Sequence, residues 1–336
     1  MFPIKRIVST LFSLAIAFLA GGITIYAMGK NPFAFYASVF RGAFIDWGFT
    51  LFNAASLIMA GLAVALGFHC GMFNIGANGQ IMIGSIFMTY IAISLADAPA
   101  ILLFPTAVLA SFIGGAIWGF IPGVLKARRG TNEVVVTIMM NYMAIGVVSY
   151  LLTYPLKATS SWISQSDLVP EKLWLPRFNN IMGADPVIIG AMVLALLFYI
   201  LMWRTKTGYE IRATGLNPVA SEFSGIDPRK TLTLAFSLSG GIAGLSYFNY
   251  IFGYQHRAIS DVLVGTNVGF DAITVALLGK NHPVGIVLSS LLLSILYSGG
   301  MNAQFEMGVP NSFYLFFEGV LIFCIILFEK ILGGKR

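Results

Sequence analysis

Between residues 67 and 84 the chain reads GFHCGMFNIGANGQIMIG, a charge-free run of Gly, Asn and Gln set between two nearly pure hydrocarbon stretches. Asn74, Asn78 and Gln80 supply hydrogen-bond donors and acceptors without charge, and Phe73 supplies an aromatic face. A neutral solute with polar edges needs that chemistry. A second interruption, over 265–285, carries Gly265, Gly269, Phe270, Asp271 and Gly279. Asp271 and Glu318 are carboxyl groups inside otherwise apolar segments, where an ionisable side chain is costly and by default marks function or a buried pair. Asp271 also falls near the end of its segment, where solvation or helix capping would account for it. Asn and Gly are equally ordinary turn residues, so 67–80 reads either as the lining of a pathway or as a helix-to-helix turn. His69 reads as a packed or interfacial side chain rather than a proton carrier. The three histidines, His69, His256 and His282, are scattered, no His-Glu-x-x-His occurs, and Ser and Asp show no nucleophile–base pairing, which argues against an enzyme. Cys70 and Cys324 lie in separate apolar runs without metal-ligand spacing.

These residues must be held by segments of an unusual kind. The chain is 57% hydrophobic and only 10% charged, with mean hydropathy +0.84; a soluble domain is typically about 25% charged. It is therefore an integral membrane protein. About 20 apolar residues span a bilayer as a helix, and barrel strands would alternate apolar and polar, which these runs do not. The expected fold is an all-α polytopic bundle of about ten spans, near 7–29, 49–66, 80–96, 100–122, 133–154, 186–203, 231–252, 262–279, 283–300 and 312–329. The run 47–96 is too long for one span and implies two with a break. Residues 1–29 read as a retained first span: Lys5 and Arg6 precede an apolar run longer than a signal-peptide core, with no clear cleavage site before Lys30. The whole chain, 1–336, reads as a single transmembrane domain.

Placing the N-terminus inside puts six of the 20 Lys and Arg outside (Lys30, Arg41, Lys157, Lys172, Arg177 and Arg257) and leaves fourteen inside. That asymmetry follows the positive-inside rule and puts both termini in the cytoplasm. The net charge of +6 resides in these loops, so it implies no nucleic acid; the surrounding phase is a lipid bilayer. Two loops are long: 155–185 outside and 204–230 inside. In the inner loop Asn217-Pro218 is a helix start and Gly225 suits the left-handed position that ends one, which predicts a short helix over 218–224. Val219 and Phe223, four apart, share one face of it. Arg212, Glu222 and Asp227 keep the surroundings polar. Such a helix suits insertion into a partner's groove, or an interfacial position on lipid headgroups.

GYEIRATGLNPVASEFSGI in this loop resembles the cytoplasmic coupling loop of ABC importer permeases, in the branch that includes ribose, branched-chain amino acid and nucleoside permeases. LKARRGTNEVVVTIMMNYMA (125–144, with Asn141), GFDAITVALLGKNHPVG (269–285) and GMFNIGANGQ are similar to motifs of the purine-nucleoside permease subunits. One departure is Ala77-Asn78, where the family pattern would place a small residue before Glu. The resemblance implies a type II ABC importer-like fold and a division of labour. A cytoplasmic ATPase binds the coupling loop through Arg212, Asn217, Pro218, Val219, Glu222 and Phe223. A second permease subunit, expected to be a paralogue, completes the pathway. An extracytoplasmic binding protein delivers the solute in the bacterial cytoplasmic membrane. The pathway set is then Phe73, Asn74, Asn78, Gln80, Asn141, Phe270 and Asp271. No cofactor is expected in this chain, since ATP is used by the ATPase and no G-x-x-x-x-G-K-[ST] occurs here. Leu238-Ser239-Gly240-Gly241 spells an ATPase signature but lies inside an apolar span, where it reads as a small-residue packing face continued by Gly244. The expected solute is a nucleoside. A sugar or another small polar solute of the same family is the alternative, and an ion-coupled secondary carrier, which needs no coupling loop, stands further off.

Overall fold

The computed structural model describes residues 4–176, 186–310 and 312–332. Residues 177–185 of the expected outer loop, Arg177 among them, lie outside the described residues. Among those described no β-strand forms; one isolated antiparallel bridge joins Gln165 to Ile259. The helices in chain order are α1 (Ile4–Ala27), α2 (Pro32–Ile45), α3 (Trp47–His69), α4 (Ala77–Ser94), α5 (Ala100–Arg129), α6 (Glu133–Thr153), α7 (Val187–Arg204), α8 (Lys206–Leu216), α9 (Pro218–Phe223), α10 (Pro228–Gly244), α11 (Ser260–Val264), α12 (Val268–Leu278), α13 (Pro283–Met307) and α14 (Phe313–Leu332). Beyond Gly244, α10 runs on through a short 3₁₀ turn and a π-helical turn to Tyr254.

The ten expected segments are largely helical, the one at 262–279 being broken at 265–267 into α11 and α12. Eight stretches among the described residues are long and apolar enough to cross a bilayer, those of α1, α3, α5, α6, α7, α10, α11–α12 and α13. The chain is a multi-pass membrane protein. α4 is less apolar because it carries Asn78, Gln80, Ser85 and Thr89, all buried. It packs against α5, α6 and α10, so lipid does not select its composition. α14 has a shorter apolar stretch, Phe313–Phe328.

Two helices stand where loops were expected. α2 occupies most of 30–46. Asn31 caps it, accepting from the N–H groups of Phe33 and Ala34 at 2.9 and 3.3 Å, with Pro32 as its first residue. It is too short to span, and its polar residues are answered on α13: Ser38 donates to Glu306 at 2.5 Å and Arg41 pairs with Glu306 at 3.7 Å. The second is α8, which fills much of the expected inner loop.

Glycines bring α5 and α10 into close backbone contact. A Cβ on Gly115 would lie 2.1 Å from the Gly240 carbonyl oxygen, and one on Gly244 2.5 Å from that of Ser111. The Leu238–Gly241 tetrapeptide is therefore a helix-packing face, as small residues in a membrane interior make possible. Across the bundle, the described part of the outer loop is tied to the end of α10: Leu175 N–H donates to Phe252 O at 2.9 Å and Trp174 stacks on His256 at 4.1 Å.

Candidate functional site

At one end of the bundle α7 turns into α8 and α9. Asn217 caps α9, its Oδ1 accepting from Ala220 N–H at 3.1 Å, and Pro218 opens the helix. The helix ends at Phe223, one residue short of the expected 224, and Gly225 takes the left-handed φ of +81°. A helix of this length cannot bury its own apolar face. Phe223 is 88% exposed and Val219 62% exposed, with Glu222 also exposed. Arg212 is set apart from this face. It sits on α8 with its guanidinium 5.8 Å from the centre of the Trp203 ring. Trp203 also meets His69 edge-on at 5.5 Å and His282 at 5.2 Å. Burial holds the His282 imidazole below its ordinary pKa, which favours the neutral ring beside Arg212. His69 Nε2–H donates to the Asn281 carbonyl at 2.9 Å. Here α8 also touches the first break: a Cβ on Gly215 would lie 2.1 Å from the His69 carbonyl oxygen.

That break, residues 70–76, is the connection between α3 and α4, with Gly71 at φ +73°. Of its seven residues Gly71 alone is exposed. In hydrocarbon every backbone and amide group must find a partner inside the protein or in a water-filled cavity, and these find one another. Asn74 is fully buried. Its Nδ2 donates to Gln80 Oε1 and to Ser239 Oγ, both at 2.8 Å, and its Oδ1 accepts from Gly76 N–H at 3.0 Å. Ser239 passes its own proton to the Ala63 carbonyl at 2.6 Å. Asn141 on α6 braces the same turn, accepting from Gly79 N–H at 2.8 Å and donating to Ile75 O at 2.9 Å. Phe73 is half-buried, edge-on to Phe68 at 4.8 Å. Asn78 reaches the second break: its Oδ1 accepts from Gly269 N–H at 2.6 Å.

Two residues beyond Gly269 the chain enters a cavity of about 210 Å³. α3 contributes Asn53 and Leu57, the end of α10 contributes Tyr247 and Tyr250, and α11–α12 contribute Val262, residues 265–268 and Asp271. Leu293 and Tyr297 of α13 and Tyr314 and Glu318 of α14 complete the wall. Tyr247 and Tyr250 are stacked, 4.4 Å apart, and Tyr297 meets Tyr314 edge-on at 5.1 Å. Glu318 accepts from Thr274 Oγ1 at 2.5 Å. Aromatic faces with a few converging polar groups are the usual make-up of a small-molecule site.

Of the seven residues expected along the pathway, Asp271 alone lines this cavity. Phe73, Asn74, Asn78, Gln80 and Asn141 gather around the first break, and Phe270, 45% exposed, lies outside the cavity wall. Sequence reasoning missed the tyrosines and Asn267. The three-residue spacing of Tyr247 and Tyr250 inside an apolar span was the available signal; Tyr297 and Tyr314 join them only through the fold. Among the described residues no group of three His, Cys, Asp or Glu is close enough to hold a metal ion.

A bundle of membrane-length helices around a polar, aromatic-walled cavity has the architecture of a membrane permease. The chain belongs to the family of branched-chain amino acid transport system permease components, whose model matches residues 48–326. It is 32% identical to the nucleoside ABC transporter permease protein NupB of Lactococcus lactis, over 96% of this chain and 91% of that one. With the guanosine ABC transporter permease protein NupP of Bacillus subtilis the identity is 33%, over 97% and 93%. With the glucose ABC transporter permease protein TsgB13 of Haloferax volcanii it is 31%, over 93% and 85%.

Proposed function

We propose that the chain is one of two membrane subunits of an ATP-driven importer of nucleosides. The observation that carries this reading is the exposed Val219–Phe223 face of α9. A six-residue helix that follows the α7–α8 corner, with an aromatic knob that none of the described residues covers, is suited to the groove of a cytoplasmic ATPase. In this reading ATP is bound and hydrolysed by that partner. Both termini and α8–α9 face the cytoplasm, in line with the excess of Lys and Arg on that side. The cavity of Asp271 and Glu318 then opens toward the opposite side, where a solute-binding protein delivers. Trp162, fully exposed in the outer loop, is available to that delivery. The second membrane subunit is a paralogue of this chain. The nucleoside follows from the likeness to NupB and NupP; the glucose permease of similar identity keeps a sugar as the second reading. Nucleosides and glucose have in common a ring bearing vicinal hydroxyl groups.

The experiment is co-purification and uptake. Phe223→Asp sets a charge in the ATPase groove and should strip the ATPase from the membrane subunits or abolish ATP-coupled guanosine uptake. Val219→Asp should do the same to a lesser degree, and Glu222→Gln, about 100° away around the helix, should be mild. Full ATPase retention and full coupled uptake in Phe223→Asp would remove the coupling role. Uptake of glucose in place of guanosine by the wild-type transporter would select the sugar reading.

A further inference from the structure

Two carboxyl groups line the cavity, Asp271 from α12 and Glu318 from α14, and among the described residues no Lys or Arg lines it with them. An in-membrane carboxyl without a cation needs hydrogen-bond donors, because desolvation penalises it heavily. The protein provides few: Thr274 Oγ1 donates to one oxygen of Glu318, Asp271 and Glu318 hydrogen-bond each other, and both residues line the cavity with the oxygens these bonds leave over. Both groups are held in place from behind. Asn78 anchors the start of α12 through Gly269 N–H, two residues before Asp271, and Thr274 fixes Glu318 one turn further along. The rest of the wall supplies flat faces, Tyr247 on Tyr250 and Tyr297 against Tyr314, against which a planar base or the C–H face of a sugar can lie. A site with acceptors fixed in pairs and aromatic walls is matched by a neutral solute that brings two adjacent donors on a ring.

We propose that Asp271 and Glu318 are specificity-determining residues that take the vicinal hydroxyl groups of the solute's sugar ring, while the tyrosines receive its planar or C–H face. This rests on the reading of the chain as an importer of hydroxyl-bearing solutes. The O–H groups donate and the free carboxyl oxygens accept. A solute lacking both hydroxyls would leave the remaining carboxyl oxygens without donors in a low-dielectric wall, and discrimination of this kind, by stranding a buried polar group, is strong.

The test compares uptake of guanosine with that of 2′,3′-dideoxyguanosine by the complete transporter carrying the wild-type chain, Asp271→Asn or Glu318→Gln. Any preference of the binding protein is common to all three and cancels in the ratio. The expected result is a preference for guanosine that falls about tenfold in each variant, the size of one lost hydrogen bond. An unchanged ratio in both variants overturns the proposal. A measurement on the unaltered chain guards against variants that fail to assemble: dicyclohexylcarbodiimide modifies in-membrane carboxyl groups, and guanosine should protect Asp271 and Glu318 while 2′,3′-dideoxyguanosine at the same concentration should not. Protection by both nucleosides overturns the proposal. So does a lack of protection by guanosine in a transporter that imports it. A wild-type transporter that moves no guanosine, but whose carboxyls glucose protects, discards the nucleoside reading and keeps the hydroxyl-reading pair.

Discussion

The two glycine-containing breaks, 70–76 and 265–267, are built from similar residues and have opposite fates. In the first, each amide is consumed within the protein: Asn74 by Gln80, Ser239 and Gly76, and Asn141 by Gly79 and Ile75. In the second, Thr266 Oγ1 takes the Val268 N–H at 3.2 Å, while Asn267 and Asp271 are left on a cavity wall. Glycine and amide composition in a membrane chain thus marks where backbone leaves the helix. Contact with solute additionally requires that polar groups remain unanswered by the protein. Asn78 joins the two regions, since its amide belongs to the first break by position and to the second by its bond to Gly269.

The largest effect is expected at the first break. Asn74→Ala leaves Gln80, Ser239 and the Gly76 N–H short of a partner, and a buried group left unsatisfied typically costs about 1–3 kcal/mol. The variant should lose about 3 kcal/mol of stability, read as a lower thermal midpoint and poorer assembly of the purified complex. Normal stability combined with lost transport would return Asn74 to the solute pathway and erase the contrast between the two regions.

A smaller effect is expected where the coupling segment meets the same break. Gly215→Ala would drive a methyl group to within 2.1 Å of the His69 carbonyl oxygen. Both contacts are backbone, so neither side can rotate away, and overpacking of this kind costs about 1–3 kcal/mol. α8 should shift from the α3 end, lowering the solute moved per ATP hydrolysed while the ATPase stays bound. Unchanged stoichiometry would mean that α8 and the first break do not need to stay in register.

Much of this was legible beforehand because it is local. The ten segments follow from run length. The α9 boundaries follow from Asn217, Pro218 and Gly225, whose conformational preferences act within a few residues, and the packing face at 238–244 follows from small residues in hydrocarbon. What escaped is tertiary. α2 carries a local start signal, Asn31-Pro32, like that of α9, but Arg41 and Ser38 look like loop residues until Glu306, from the far end of the chain, answers them. Asp271 and Glu318 were each visible as carboxyls in apolar segments, but that they line one cavity is a consequence of α12 lying against α14. The amides around Asn74 read either as a pathway lining or as a turn because sequence alone does not tell which hydrogen bonds the fold makes.

The smallest change in stability, and the one that separates the two regions most sharply, is expected for Asn267→Ala. Asn267 is exposed to the cavity and precedes α12, yet its side chain does not cap that helix, because Thr266 already satisfies the Val268 N–H. Removing the amide therefore strands no buried partner, and surface changes of this type usually stay within about 0.5 kcal/mol. Transport should respond differently. If a solute passes along this wall, one neutral hydrogen bond is lost, a reduction of about fivefold in uptake efficiency. Measured side by side, Asn74→Ala should be unstable and inactive in proportion, whereas Asn267→Ala should be as stable as the wild type and slower. Equal uptake in a stable Asn267→Ala chain would mean that the solute does not touch this part of the wall, and the pathway would then have to be sought nearer Asn53 and Tyr250, which line the same cavity.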